Sequence, residues 1–103
     1  MFANTPEPPY YAVIFTSIKN DQDEGYGAMS EKMLKLVQQQ KGFLGVESAR
    51  EEVGITVSYW KDRASIQTWK ANLEHLKAQE KGKSAWYEDY KIRIAKVERD
   101  YEK

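Results

Sequence analysis

The side chains with the clearest chemical potential in this chain are a histidine and a tryptophan in its second half. His75 is the only histidine, and an imidazole can take up or return a proton near neutral pH. Trp69 precedes it by six residues, and its flat ring could stack on a flat ligand. Each also has a plain structural interpretation, as a solvated residue for His75 and as a core residue for Trp69. We take both as candidate catalytic residues.

Aromatic residues make up 13 % of the chain, and they could form a core, line a cavity or fill an interface. The densest cluster includes Trp86 and Tyr90, and Tyr11 lies in an apolar stretch near the start. Arg93 alternates with apolar residues, so it is either solvent-facing or an electrostatic partner for an oxyanion. The candidate substrate-binding residues are Tyr11, Trp86, Tyr90 and Arg93.

Charge and composition argue against several function classes. The 103 residues include 16 basic and 16 acidic side chains and no cysteine. A net charge of zero argues against a nucleic-acid partner and a polybasic membrane anchor, and no apolar run approaches the roughly 20 residues of a transmembrane helix. The lack of cysteine removes disulfides and thiolate chemistry, and it favours a cytoplasmic location. One histidine among scattered carboxylates predicts no metal site.

The hydrophobic pattern predicts six elements in the order β-α-β-β-α-β. Aromatic and β-branched residues predict strands over 10–18, 43–49, 55–60 and 90–97. Helical spacing predicts one helix from about Tyr26, ended by Gly42 as a left-handed cap, and a second helix capped by Asp62. The second helix carries an apolar stripe of Ile66, Trp69, Leu73 and Leu76.

Two irregularities are predicted near the end of the chain. A glycine within 80–89 predicts a break and a short helix, and a change of apolar parity after Ile94 predicts a β-bulge in the last strand. Three prolines make 1–9 an extended leader, 10–99 the folded domain and 100–103 a tail.

This order of elements fits a ferredoxin-like α+β domain, a four-stranded antiparallel sheet with both helices on one face. Such a sheet leaves its other face bare, although three of the strands are apolar or aromatic on both faces. Because a bare apolar face is rarely left in water, we predict a homodimer in which two copies cover it.

The second half of the chain resembles the antibiotic biosynthesis monooxygenase superfamily, especially its small stand-alone bacterial members. The resemblance covers roughly residues 10–99 and is most specific in these segments: Ser58-Tyr59-Trp60-Lys61-Asp62, Ser65-Ile66, Trp69-Lys70, Glu74-His75-Leu76, Ala78-Gln79, Gly82-Lys83, Trp86-Tyr87, Tyr90 and Ala95-Lys96-Val97-Glu98-Arg99.

The resemblance implies a dimeric α+β barrel with a cavity between the helices and the sheet of each protomer. It also implies a cofactor-independent monooxygenase of a polycyclic aromatic molecule, in which the deprotonated substrate itself reduces O₂. The protein then supplies positioning, proton transfer and stabilisation of negative charge. Trp69 matches the family's helix tryptophan, and His75 stands where the polyketide-oxidising members have a pocket tyrosine.

Departures from the family pattern keep two alternatives open. Ser65 replaces an asparagine of the polyketide-oxidising enzymes. Gln79 replaces the axial histidine of the haem-degrading type, and the first strand lacks that type's asparagine, so haem degradation ranks lower. The other alternative is a non-catalytic barrel that binds an aromatic metabolite. The expected partners are a second copy of the chain and a small aromatic ligand.

Overall fold

The computed structural model describes residues 2–19, 26–79 and 87–103, which form four strands and two helices in the predicted order. The elements are β1 (Tyr10–Lys19), α1 (Tyr26–Gln38), β2 (Phe43–Arg50), β3 (Val53–Trp60), α2 (Arg63–Gln79) and β4 (Tyr87–Val97). The α+β, ferredoxin-like prediction is therefore confirmed. No helix within these ranges combines the length and apolar composition that crossing a bilayer requires.

The strands form one antiparallel sheet in the order β2-β3-β1-β4. Its two sides are distinguished by Trp60, which pairs with Tyr11 in the sheet and packs against Ile66 of α2. Successive residues of a strand point to opposite sides. The helix-facing side of β1 therefore carries Tyr11, Val13, Phe15 and Ser17. The opposite side carries Tyr10, Ala12, Ile14, Thr16 and Ile18.

The apolar core lies at one end of the helix-facing side. Val37, Trp60 and Ile66 are its buried members, and Trp60 is completely inaccessible. The Trp60 ring lies 5.5 Å from Phe43 and stacks on Trp69, with 6.3 Å between ring centroids. Its Nε1–H donates to Ser58 Oγ at 2.9 Å. The predicted stripe of α2 is confirmed where side chains are described, at Ile66, Trp69 and Leu73.

Capping explains where α2 begins. The N–H of Ser65 donates to Asp62 Oδ1 at 2.8 Å, which satisfies an amide that has no partner within the helix. Hydrogen bonds from the Ser65 hydroxyl and N–H also lower the pKa of Asp62. The prediction of Asp62 as the helix cap is confirmed.

The prediction that the first helix runs to Gly42 is wrong. α1 ends at Gln38. The hydrogen bonds that follow span three residues and not four, from Gln39 N–H to Leu36 O and from Gln40 N–H to Val37 O. Gly42 does adopt a left-handed φ of 87°, but it belongs to the turn before β2. Its carbonyl accepts from the Lys61 N–H at 2.7 Å, so the turn is held by the end of β3.

Two predictions near β4 are also corrected. Because β4 begins at Tyr87, residues 87–89 are strand, not helix; residues 80–86 lie outside the described ranges. The β-bulge is not at Ile94 and Ala95, which pair regularly with Val13 and Ala12. The register shifts instead between Ile18 and Lys19 of β1. The apolar residues of β4 shift from one side of the sheet to the other because both sides of this strand carry apolar residues, and no bulge is needed to explain the shift.

The leader lies against the opposite side of the sheet. The N–H of Ala3 donates to Glu47 Oε2 at 2.8 Å. A Cβ at Gly45 would lie 2.7 Å from the Ala3 Cβ, so the glycine makes room for this segment. The Tyr10 hydroxyl donates to Asp100, which fixes the start of the tail at the same place.

Candidate functional site

The helix-facing side has a packed end, the core around Trp60, and an open half. The open half is formed by one residue of β1 and three of β4: Phe15, Tyr90, Ile92 and Ile94. The three β4 side chains are 53, 52 and 56 % exposed, although they share a side with the core. The rings of Phe15 and Tyr90 lie 5.6 Å apart and are tilted by 33°. This apolar surface is accessible to a flat ligand.

Trp69 and Tyr11, two predicted site residues, lie together at the packed end. Both are partly buried and pack against the core cluster. One face of the Trp69 ring is covered by Trp60, and the guanidinium of Arg63 lies 5.4 Å from the centre of the Tyr11 ring. The core interpretation of Trp69 is thus correct, and its partial exposure leaves part of the ring accessible.

His75 is exposed on α2. By helix rise it lies about 18 Å along α2 from Arg63, on the part of the helix beyond Trp69 and Leu73.

Tyr90 and Arg93, both predicted to bind substrate, lie on different sides of the sheet. Tyr90 pairs with Ser17 on the helix-facing side, whereas Arg93 pairs with Ile14 on the opposite side. Arg93 is exposed and lies on the side of the sheet away from Trp69. Trp86, the remaining predicted residue, lies outside the described ranges.

Arg50 is a residue of the helix-facing side that the sequence did not single out. It is the last residue of β2 and pairs with Gly54 of β3 across a turn formed by residues 51 and 52. Its Nη2 donates to the Ser17 hydroxyl of β1. The available signal was the short spacing between Arg50 and Gly54, which is typical of a hairpin and places the arginine opposite a residue without a side chain.

A polar network on the opposite side holds the leader and the tail. The Tyr59 hydroxyl donates to Glu47 Oε1 at 2.7 Å; burial and this bond raise the pKa of Tyr59 to about 12. The N–H of Ala3, followed by the Tyr59 hydroxyl, lowers the pKa of Glu47, and the bond to Asp100 raises that of Tyr10.

These directions keep both tyrosines protonated and Glu47 ionised at neutral pH, as a static network requires. The leader and tail enclose with the sheet a cleft of about 270 Å³. Among the described residues, no three His, Asp or Glu side chains are grouped so as to hold a metal ion.

Comparisons with known proteins give a consistent result. The profile of the antibiotic biosynthesis monooxygenase family matches residues 9–81. YqjZ, an uncharacterized protein of Bacillus subtilis strain 168, is 56 % identical over 99 residues, which cover 94 % of this chain and 87 % of YqjZ.

Two solved structures are similar in fold. A variant of SnoaB, a cofactor-independent oxygenase from Streptomyces nogalater, gives a TM-score of 0.70 at 12 % identity, covering 88 % of this chain and 95 % of SnoaB. A variant of MhuD with two manganese protoporphyrin IX molecules per active site gives 0.67 at 19 % identity, covering 90 and 99 % of the two chains. At these identities the likeness shows the fold alone.

Proposed function

Since the chain belongs to the antibiotic biosynthesis monooxygenase family, we propose that it oxygenates a flat aromatic small molecule without a cofactor. The observation that carries this proposal is the open half of the helix-facing side. An aromatic pair, Phe15 and Tyr90, lies there beside exposed Ile92 and Ile94, continuous with the tryptophan core. Ligand sites are mostly apolar surfaces with a few polar groups, and SnoaB provides the precedent for cofactor independence.

The proposed reaction uses the electrons of the substrate. A ring CH₂ next to a phenol or ketone loses a proton, and the resulting carbanion transfers electrons to O₂. One oxygen atom becomes the new C=O of the product, and the other leaves as water with the two hydrogens of the CH₂ group. The protein's share is to bind the ring, move a proton and stabilise the anion.

We assign these tasks to the predicted site residues on the helix-facing side. Trp69 and Tyr11 form the boundary of the ligand-binding surface at the packed end, and the Tyr90 ring stacks on the ligand in the open half. His75, exposed on α2, exchanges the substrate proton with water.

Oxygen consumption with a hydroxylated anthrone tests the proposal. We expect catalytic uptake of one O₂ per substrate, above the rate of autoxidation. His75→Ala should lower the rate at least tenfold, as loss of a general acid-base group does, whereas Glu74→Ala, its exposed neighbour on α2, should leave it unchanged. If wild type gives no catalytic acceleration, the proposed function is rejected; if only the histidine effect is missing, the assigned role of His75 is rejected.

The same experiment detects the principal alternative, a barrel that binds an aromatic metabolite without turning it over. Such a protein protects the anthrone from autoxidation in proportion to its own concentration, whereas an enzyme accelerates its loss at substoichiometric amounts. Haem degradation is less favoured because the chain's only histidine, His75, is exposed on α2 and the position matching the family's axial ligand is Gln79.

The opposite side of the sheet supports assembly as a homodimer. Ile18, Val53 and Ile55 are 43, 48 and 46 % exposed there, beside the area that the leader covers. Ile18 pairs with Val53, and Ile55 with Thr16, so the exposed side chains form one patch. We expect native mass spectrometry to give twice the monomer mass of 12.0 kDa and Ile55→Asp to give a monomer. A monomeric wild type would contradict this assembly.

A further inference from the structure

One row of side chains on the opposite side of the sheet has a carboxylate at one edge and a guanidinium at the other. Glu47 of β2 pairs with Val57 of β3, which pairs with Ile14 of β1. Ile14 in turn pairs with Arg93 of β4. Because β2 and β4 are the two edge strands, three strand spacings place Glu47 and Arg93 about 14 Å apart within one copy. They cannot form an ion pair with each other there.

The side chains between these two charges are apolar. Val57 and Ile14 are half-buried in the single chain. The next two rows along the strands carry the exposed patch of Ile18, Val53 and Ile55. An apolar centre with charged side chains at its rim is typical of a protein–protein interface. The row therefore continues the patch that we assign to the second copy.

Both charged groups can take a partner from outside the chain. Arg93 is exposed. Glu47 is partly buried, and its oxygens accept from the Ala3 N–H and the Tyr59 hydroxyl, which also lower its pKa and keep it ionised at neutral pH. A carboxylate has about four acceptor positions, so these two bonds leave room for the donors of a guanidinium.

The symmetry of a homodimer decides which edges meet. When two sheets pack face to face, a two-fold axis along the strands lays β4 of one copy over β2 of the other, row upon row. Glu47 then faces the partner's Arg93 at both edges. A two-fold axis across the strands would place β4 over β4, where Lys91 and Arg93 meet the same cations of the partner. Like charges facing each other disfavour that second arrangement.

We infer that Arg93 of each copy binds Glu47 of the other copy, in a homodimer whose two-fold axis runs along the strands. This inference rests on the homodimer proposed above and specifies how its two sheets face each other. It gives Arg93, which the sequence predicted to bind substrate, a role in assembly. It also links assembly to the leader, because Glu47 holds Ala3.

The dimer dissociation constant, measured by sedimentation equilibrium at low salt, tests the ion pair. Arg93→Glu should weaken the wild-type dimer by about tenfold or more, since two attractive pairs become repulsive. In a Glu47→Arg chain the same substitution should instead strengthen the dimer, because both pairs return with their charges exchanged. This reversal does not depend on the leader, whose anchor at Glu47 is absent from both members of the second comparison. Lys96→Glu, on the helix-facing side of the same strand, is the control and should change the constant by less than about twofold.

Cross-linking tests the orientation of the two sheets without altering Glu47. In the next row Ala49 of β2 and Lys91 of β4 occupy the same two edges, and the chain has no cysteine, so Ala49→Cys and Lys91→Cys each carry a single thiol. In the inferred dimer the backbones at positions 49 and 91 face each other at about 10 Å, whereas the two positions 91 are about 17 Å apart. A bismaleimide with an ethylene spacer should therefore join the two variants in a mixture and should not join Lys91→Cys to itself.

The possible failures are distinguishable. If Arg93→Glu has the same effect in both backgrounds, or if Lys91→Cys is cross-linked to itself more readily than to Ala49→Cys, Arg93 does not face Glu47; the homodimer then stands with another orientation. If wild type is monomeric, the proposed assembly and this inference fail together. The oxygenation assay judges the catalytic proposal separately in each case.

Discussion

Replacing Glu47 tests how the leader is held on the sheet. The Glu47 carboxylate accepts from the Ala3 N–H at 2.8 Å and from the Tyr59 hydroxyl at 2.7 Å. Glu47→Gln keeps the shape but removes the charge and one acceptor. A hydrogen bond to a charged group contributes about 1.5–3 kcal/mol, and solvent reduces this because Glu47 is only partly buried. We expect a loss of about 1–2 kcal/mol for the two bonds together.

Thermal unfolding measures this loss. In a domain of this size 1 kcal/mol shifts Tm by about 4–8 °C, so a loss of about 1–2 kcal/mol in Glu47→Gln should lower Tm by about 4–16 °C at pH 7. Glu51→Gln, which removes an exposed carboxylate from the turn after β2, is the matched control and should change Tm little. Equal Tm values for the two variants would refute the argument.

The Tm difference between wild type and Glu47→Gln should change with pH in a definite direction. Contacts with Ala3 and Tyr59 lower the pKa of Glu47 below its ordinary value of 4.5. A lowered pKa in the folded state means that the stabilisation is present above 4.5 and is lost as pH falls through the folded value. The Tm difference between wild type and Glu47→Gln should therefore be constant from pH 6 to 8 and shrink below about pH 4. A difference that grows on acidification would contradict this assignment.

Three further predictions concern single side chains. Trp60→Ala removes the completely buried indole and should cost about 3–5 kcal/mol, measured by urea unfolding. Gly42→Ala should cost about 1–3 kcal/mol because its φ is 87° and the new Cβ would lie 2.1 Å from Ser65 Oγ; Ser65→Ala in the same chain should recover part of the loss. The pKa of Tyr59 is raised from 10.0 to about 12. The stabilisation that this shift implies is complete below pH 10 and is lost between pH 10 and 12, so the Tm of wild type should fall towards that of Tyr59→Phe across that range.

The fold was predictable from the sequence because its signals are local. Alternation in β3 assigned Thr56 and Ser58 to one side and Val57 to the other, and helical spacing assigned the inward stripe of α2. The end of α1 was wrongly predicted at Gly42, because a glycine with positive φ suits the turn that follows a helix as well as it suits a helix cap. That turn is fixed by Lys61, which is distant in sequence.

The candidate site was harder to predict because the side of the sheet on which a residue lies depends on how the strands pair. Sequence places Tyr90 and Arg93 in one strand, and their odd spacing already separates their sides. Which side faces the helices is decided by the pairing of β1 with β3 and β4. Arg50 was missed for the same reason: its pairing with Gly54 and its hydrogen bond to Ser17 join residues that only strand pairing brings together.

The alternation of side chains gives the sheet two surfaces that can be altered separately. Tyr90 lies on the helix-facing side, where we place the ligand, and Ile55 lies on the opposite side, where we place the second copy. Tyr90→Ala should therefore slow the oxygenation of the hydroxylated anthrone and leave a dimer, whereas Ile55→Asp should give a monomer that keeps the wild-type rate. If Ile55→Asp also lowers the rate while the monomer stays folded, the ligand site requires the dimer, and the separation of the two sides argued from register is wrong.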